Sequence, residues 1–285
     1  TYRTFLAFLL QLEYKTIRLR RTTTPFTIML PQNSFQLLRH ATLLLRLGER
    51  TLLVDPMLSP KEVMEPIVNS SNERRIPMVD LPLTGDELQR ITQQVDGVLV
   101  THLHRDHWDE TARAMIPEDT LLFCQPEDTN TLQKQNFRRV QPIDHRLTWG
   151  NIRIHRTGGR HGTGEIGKAM GLVSGFVFQT ADCTIYLAGD TIWCPEVQHT
   201  LNVWNPDWTI VNAGGAQFLE GDPITMTDED IYQVAHTSPT THIIAVHMDT
   251  VNHCHLTRER LRQAINSMGI SDRVWIPEDG EVITF

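Results

Sequence analysis

Short apolar runs separated by glycine, proline and polar turns recur along the chain, and this pattern predicts alternating strands and helices. In the first half it predicts a hairpin, a helix and three strands, at 41–47 with 51–54, 86–95, 97–101, 121–124 and 152–155. In the second half it predicts a hairpin, two strands, two threonine-capped helices and two closing strands, at 172–179 with 184–187, 208–211, 243–246, 228–235, 258–268, 273–276 and 282–285. We interpret residues 28–285 as one α/β domain whose two similar halves meet near residues 160–170.

Two segments without a clear period are predicted to be loops. Residues 57–80 are rich in proline, serine and asparagine, and long loops in compact domains are often functional. Residues 158–162 read Gly-Gly-Arg-His-Gly, which indicates a flexible loop after the strand predicted at 152–155.

The composition is that of an ordinary globular protein, with 40% hydrophobic and 21% charged residues. The net charge of −8 disfavours a protein that coats nucleic acid, because such proteins usually carry a basic face. We therefore expect a small-molecule substrate and no nucleic-acid partner. The four cysteines form no CxxC pair, which favours reduced thiols in a cytoplasmic protein. The sequence indicates no particular oligomeric state.

No apolar run approaches the ~18 residues that span a bilayer. Residues 1–27 are basic and contain the short apolar run Phe5–Leu10. We interpret them as an N-terminal extension packed on the body. The alternative is an arm that contacts a membrane or a partner.

A histidine-rich segment directly follows the strand predicted at 97–101. His102 and His104 are two residues apart on an extended chain, so both imidazoles point to one side and can hold one metal ion. A sharp turn then carries Asp106 and His107 to the expected start of a helix, within reach of a second ion. One loop thus offers ligands to two neighbouring sites.

The remaining ligands are expected at the ends of other strands, where α/β folds usually place their sites. His161 lies in the glycine loop, Asp190 follows the strand at 184–187, and His247 ends the strand at 243–246. His253 and His255 are alternatives to His247, which we prefer because it directly ends its strand.

The HxHxDH segment, followed by distant His, Asp and His, resembles the metallo-β-lactamase superfamily. The fold that this resemblance implies is a four-layer αββα sandwich, with two mixed sheets inside and helices outside. The implied ligands are His102, His104 and His161 for the first metal, Asp106, His107 and His247 for the second, and Asp190 as the bridge between them. The segments His40-Ala41-Thr42 and Gly189-Asp190-Thr191 resemble the branch with L-ascorbate-6-phosphate lactonase and N-acylphosphatidylethanolamine-hydrolysing phospholipase D.

The resemblance implies a dinuclear hydrolase in which a metal-bridging hydroxide attacks a small ester, lactone or phosphodiester. Asp106 or Asp190 would move the proton to the leaving group. A bridging carboxylate disfavours a lactam-cleaving enzyme. The ligand set lacks thiolate, so zinc is favoured and manganese is its rival. The alternatives are a nuclease of the same superfamily, a di-iron redox enzyme and a non-catalytic metal-binding protein.

Four further residues have two interpretations each. His40 is predicted either to contact substrate or to be satisfied inside the first hairpin. Arg160, beside His161, either binds an anionic group of the substrate or is exposed. Asp55 and Asp109 either orient a ligand histidine or serve a turn and a first helical turn, respectively.

Overall fold

Two seven-stranded sheets face each other in the computed structural model, which describes residues 30–285. The predicted extension 1–27 lies outside the described residues. The first sheet contains β1 (Ser34–Arg39), β2 (Thr42–Leu47), β3 (Arg50–Val54), β4 (Gly97–Val100), β5 (Leu121–Cys124), β6 (Arg139–Pro142) and the last strand, β14 (Val282–Thr284). The second contains β7 (Arg146–Trp149), β8 (Ile152–Thr157), β9 (Gly175–Gln179), β10 (Thr184–Leu187), β11 (Trp208–Asn212), β12 (His242–Val246) and β13 (Val274–Trp275).

Both sheets are mixed. In the first, β14, β1, β2 and β3 pair antiparallel, and β3 to β6 continue as parallel neighbours. The second sheet follows the same plan, since β7 to β10 are antiparallel and β10 to β13 are parallel. The predicted mixed sheets are therefore confirmed, and each parallel half brings several strand ends to one edge.

The helices cover the outer faces of the two sheets. Their bounds are α1 (Gly85–Gln94), α2 (Glu110–Met115), α3 (Thr129–Lys134), α4 (Gly164–Met170), α5 (Pro195–Trp204), α6 (Asp228–Thr237) and α7 (Arg258–Ser267), with a 3₁₀ turn at Pro126–Asp128. Among residues 30–285, no helix has the length and apolar character needed to cross a bilayer.

Alternation along the strands explains the four layers. In β2, Leu43 and Leu45 belong to the core between the sheets, whereas Leu44 joins the core beneath α1 and α2. In β10, Ile185 faces the shared core and Tyr186 packs under the helices of the other side. Because every second residue faces the opposite side, these apolar strands serve two cores, and the predicted αββα sandwich is confirmed.

The structure corrects several details of the sequence prediction. The chain passes from the first sheet to the second at residues 143–145, between β6 and β7, rather than near 160–170. The second hairpin begins at Gly175 instead of residue 172. The pattern also did not predict β1, β6, β7, α3, α4 and α5, several of which are short or carry mixed polar residues.

The segment 57–80 is a loop, as predicted, and buried polar groups hold it in place. The guanidinium of Arg39, fully buried, donates to the carbonyl oxygens of Met57, Ser59 and Val79. Burial lowers the pKa of Arg39 to about 10, yet it remains a cation at neutral pH. The buried guanidinium thus orders the loop together with a short antiparallel backbone bridge between Met64 and Ile76.

Candidate metal centre

The predicted ligand residues converge at the edge of the sandwich where parallel strands end. His102 follows β4, Asp190 follows β10 and His247 follows β12 directly. His107 lies in a turn before α2, with its backbone N–H donating to the carbonyl of His104, so the helix begins three residues later than expected. We call His102, His104, Asp106, His107, His161, Asp190 and His247 the candidate metal centre.

One group of ligand atoms comes from three histidines. His102, His104 and His161 each offer a ring nitrogen, and these atoms all lie within 4.8 Å of one another. The Nε2 of His102 is 3.0 Å from the Nδ1 of His104. The ring of His161 is oriented by its Nδ1–H, which donates to the carbonyl of Ile224 at 2.8 Å. The Nε2 of His161 is therefore the nitrogen available to a metal.

A second group lies beside the first and contains a carboxylate. Asp106, His107 and His247 offer atoms within 4.8 Å of one another, and His40 belongs to the same group. The two Nε2 atoms of His107 and His247 are 3.2 Å apart. The Oδ2 of Asp106 lies 3.8 Å from the first of these nitrogens and 3.7 Å from the second.

Asp190 contacts both groups. Its carboxylate oxygens lie 3.2 Å from the Nε2 of His107 and 3.3 Å from that of His247. On the other side, Oδ2 is 3.5 Å from the Nε2 of His161 and 4.0 Å from that of His102. The carboxylate of Asp190 therefore lies between the two groups of ligand atoms.

Asp55 orients two of the histidines without belonging to either group. Its Oδ2 accepts hydrogen bonds from His107 Nδ1–H at 2.9 Å and from the Thr101 hydroxyl at 2.8 Å. The Thr101 oxygen in turn accepts from His102 Nδ1–H at 3.0 Å. One buried carboxylate thereby leaves the Nε2 of both rings free to bind metal.

Charges in the centre depend on burial and on mutual attraction. Burial raises the pKa values of Asp106 and Asp190, but His107 and the other rings outweigh it and hold both well below the ordinary range. Burial lowers the pKa of His107, whereas Asp190, Asp106 and Asp55 raise it well above the usual value. Burial dominates at His102, whose pKa is well below normal. Carboxylate oxygens beside imidazole nitrogens form a donor set suited to a divalent cation.

His40 contacts two residues of this centre, Asp106 and His247. Its side chain is fully buried and its Nε2–H donates to the Oδ2 of Asp106 at 3.3 Å. Its ring centroid is 3.6 Å from that of His247. Burial lowers the pKa of His40 to about 3, so the ring is neutral. These contacts favour a role in positioning Asp106 over the predicted contact with substrate.

Arg160 and Asp109 lie outside the centre. The half-exposed guanidinium of Arg160 pairs with Glu196 instead of joining the histidines next to it. Asp109 caps α2, accepting from the N–H of Ala112 at 2.7 Å, and it also accepts from the N–H of Ser59. Its role is thus to join α2 to the long loop rather than to orient a ligand histidine.

Sequence reasoning missed two residues that support the centre. Asn212, at the end of β11, donates through its side-chain amide to Asp190 at 2.6 Å. Gly214 lies against His247, and a Cβ there would overlap the carbonyl oxygen of His247 and approach its Nδ1 to 3.0 Å. The rule that places sites at strand ends could have identified Asn212, because it ends the strand between β10 and β12.

His253, an alternative ligand to His247 in the sequence, lies apart from the two groups of ligand atoms. It is nearly buried, and its ring stacks on Phe218 with centroids 5.7 Å apart. Burial lowers its pKa to about 4, with Asp106 opposing the shift. The structure groups His247 rather than His253 with the other ligand atoms.

Comparison with known proteins places these features in a family. A model of the beta-lactamase superfamily domain matches residues 50–248. The protein YddR of Bacillus subtilis is 34% identical over 252 residues, which cover 87% of this chain and 98% of YddR.

Two solved structures are similar over nearly their whole length. One is a possible metal-dependent hydrolase from Veillonella parvula, with 38% identity and a TM-score of 0.86, covering 90% of this chain and 100% of the other. The second is isothiocyanate hydrolase from Delia radicum gut bacteria, with 35% identity and a TM-score of 0.84, covering 88% and 99%.

Proposed function

This protein belongs to the metallo-β-lactamase superfamily and is a metal-dependent hydrolase, and from this premise we propose that it uses two divalent ions to hydrolyse a small ester, lactone or phosphodiester. The observation that carries the proposal is the place of Asp190, whose carboxylate lies against histidines of both ligand groups. A site for a single ion would use only one of these two groups of ligand atoms.

The residues present fit two ions. His102, His104 and His161 would hold the first, and their converging nitrogens suit a borderline metal. Asp106, His107 and His247 would hold the second, with Asp190 shared between the ions. Imidazole and carboxylate without thiolate favour zinc, with manganese as its rival.

When bound, the ions would supply a water molecule acidic enough to attack at neutral pH and a positive charge that polarises the substrate. The protein's part is orientation and proton transfer. Asp55 fixes the tautomers of His102 and His107. Asp106 and Asp190 are the carboxylates able to accept a proton and pass it to a leaving group.

A second substrate class has a specific observation in its favour. The isothiocyanate hydrolase from Delia radicum gut bacteria is 35% identical to this chain and nearly the same length. Hydrolysis of an isothiocyanate consumes one water, breaks the carbon–nitrogen bond and releases an amine and carbonyl sulfide. Its electrophilic carbon, like an ester carbonyl, suits attack by an activated water molecule. Isothiocyanates therefore belong in the substrate panel.

The first measurement is the metal content of the protein as purified, by plasma mass spectrometry. Two zinc or manganese ions per chain support the proposal. Two irons together with dioxygen consumption favour the redox alternative. An absence of metal even after reconstitution would overturn the ligand assignment.

The second measurement is turnover of a panel of phosphodiesters, lactones, esters, isothiocyanates and single-stranded RNA. Asp190→Ala should lower kcat/KM at least about 100-fold while the protein stays folded. Asp182→Ala is the matched control, because Asp182 is an exposed aspartate in the turn between β9 and β10. Full activity of Asp190→Ala would refute the two-ion mechanism, and cleavage of RNA alone would favour the nuclease.

A further inference from the structure

An apolar cavity of about 560 Å³ opens between three segments of the chain. Its apolar walls come from Val68 in the long loop, from Ile166, Ala169 and Met170 in α4, and from Phe218 and Leu219 after β11. We call it the apolar pocket. Its volume is within the range of small-molecule sites.

One wall of the apolar pocket follows a candidate ligand in the chain, and a second wall packs on His253. His161 is followed within three residues by α4, so the helix that forms one wall is tied to a candidate ligand. Phe218 stacks on His253, and Asp106 acts electrostatically on that ring. A molecule bound in the pocket therefore lies beside the centre rather than at a remote surface.

Hydrogen bonds hold the third wall, the part of the long loop that contains Val68, close to the same residues. The side-chain amide of Asn252, next to His253, bonds to both the N–H and the carbonyl of Ile67. The guanidinium of Arg105, between the candidate ligands His104 and Asp106, donates to the carbonyl of Pro66 at 2.9 Å. These bonds fix the two residues that directly precede Val68 against residues beside the centre.

The chemistry of the lining restricts what the pocket takes. Val68 and Leu219 expose 74% and 69% of their surface, so both present hydrocarbon to a molecule that enters the pocket. The charged residue among those that line the pocket is Glu220, an acid. A carboxylate repels a phosphate or a sugar acid, whereas the apolar side chains gain from contact with hydrocarbon.

We propose that the apolar pocket binds a neutral alkyl or aryl group of the substrate, so that this protein prefers apolar electrophiles over anionic ones. The inference rests on the proposed hydrolase function and narrows its substrate class. Each methylene buried in the pocket should raise kcat/KM about fourfold, mainly through KM.

Two measurements on the metal-loaded full-length chain test this. The first is kcat/KM for ethyl, butyl and hexyl members of whichever ester or isothiocyanate series is hydrolysed. The second is binding of 4-fluorophenethyl alcohol, observed by fluorine NMR, which does not depend on turnover. Leu219→Glu and Ala169→Glu place charge in the pocket at exposed positions that tolerate it. Val203→Glu is the matched control, since Val203 is 57% exposed on α5 and lies outside the pocket.

We expect the wild type to prefer longer chains and to bind the fluorinated alcohol. Leu219→Glu and Ala169→Glu should flatten the chain-length preference and weaken probe binding at least tenfold, whereas Val203→Glu should leave both at the wild-type level. An unchanged preference, equal losses in Val203→Glu, or no probe binding to the wild type would overturn the inference. A third outcome separates the two proposals. If no substrate is turned over, but the probe binds and Leu219→Glu abolishes its binding, the hydrolase mechanism is refuted and the binding role of the pocket is retained.

Discussion

Replacing Asp55 with asparagine tests whether one buried carboxylate sets the proton positions on two imidazoles. The side chain is 1% exposed and accepts three hydrogen bonds. Thr101 N–H donates to Oδ1 at 2.7 Å, while the Thr101 hydroxyl and His107 Nδ1–H donate to Oδ2. Because the Thr101 oxygen also accepts from His102, the carboxylate ends a chain that reaches both ligand groups.

Asparagine has nearly the same shape but cannot accept on both sides. If its NH₂ faces the Thr101 N–H, two buried donors oppose each other. If the NH₂ faces His107 instead, the Nδ1 of that ring must become the acceptor. The proton then lies on the Nε2 of His107, which removes a metal-binding lone pair. An unsatisfied buried donor costs about 1–3 kcal/mol of unfolding free energy. Loss of such an orienting group typically lowers metal affinity by about 10–100-fold.

The assay is metal affinity, measured by competition with a chromophoric chelator, together with urea unfolding of the metal-free protein. Asp96→Asn is the matched control, because Asp96 accepts from the N–H of Thr51 and from Arg50 and contacts no histidine. It should lose stability but keep its metal affinity. Wild-type affinity in Asp55→Asn would refute the tautomer argument, and an equal loss in Asp96→Asn would reduce it to general destabilisation.

Three further perturbations have expected outcomes. Gly214→Ala should displace His247 and lower the metal content from two ions per chain toward one, measured by plasma mass spectrometry, whereas Gly85→Ala, with open space around it, should not. His40 and His253 have depressed pKa values of about 3 and 4, so their stabilising effect is complete above pH 6.5 and declines as the pH falls. Urea titrations in chelator should show a loss of unfolding free energy from these two of up to about 2.7 kcal/mol per pH unit between pH 6 and 4, and His253→Gln should lower the measured slope by up to about 1.4 kcal/mol per pH unit. Arg39→Leu leaves two buried carbonyl groups and one partly buried carbonyl group of the long loop unpaired and should lower the unfolding free energy by about 3 kcal/mol. A loss below about 1 kcal/mol would contradict the role assigned to Arg39.

The sequence indicated the fold where the apolar pattern was strong. The hairpin of β2 and β3 and the parallel strands β4, β11 and β12 consist of continuous apolar runs, which are typical of strands buried on both faces. The edge strand β7 alternates polar and apolar residues, because one side is exposed, and its four residues are too few for the pattern to stand out. The crossing between the halves was placed too late because β6 and β7 carry several charged and polar residues.

The candidate site was predictable to the extent that its residues end strands. His102, Asp190 and His247 were found in this way. The contacts of His40 depend on a left-handed backbone at φ 61° after β1, a strand that the pattern missed. The three walls of the apolar pocket come from distant segments, and only the tertiary structure brings them together.

The passage of the chain from one sheet to the other at residues 143–145 divides the candidate metal centre between two halves. His102, His104, Asp106 and His107 come from the first half, while the second contributes the other three ligands. With the proposed ligands, each ion would be bound by residues from both halves of the chain, so the ions would link the two halves at this edge of the sandwich. Removal of the ions should then separate the two halves at that edge first, while each sheet still keeps its own strand pairing.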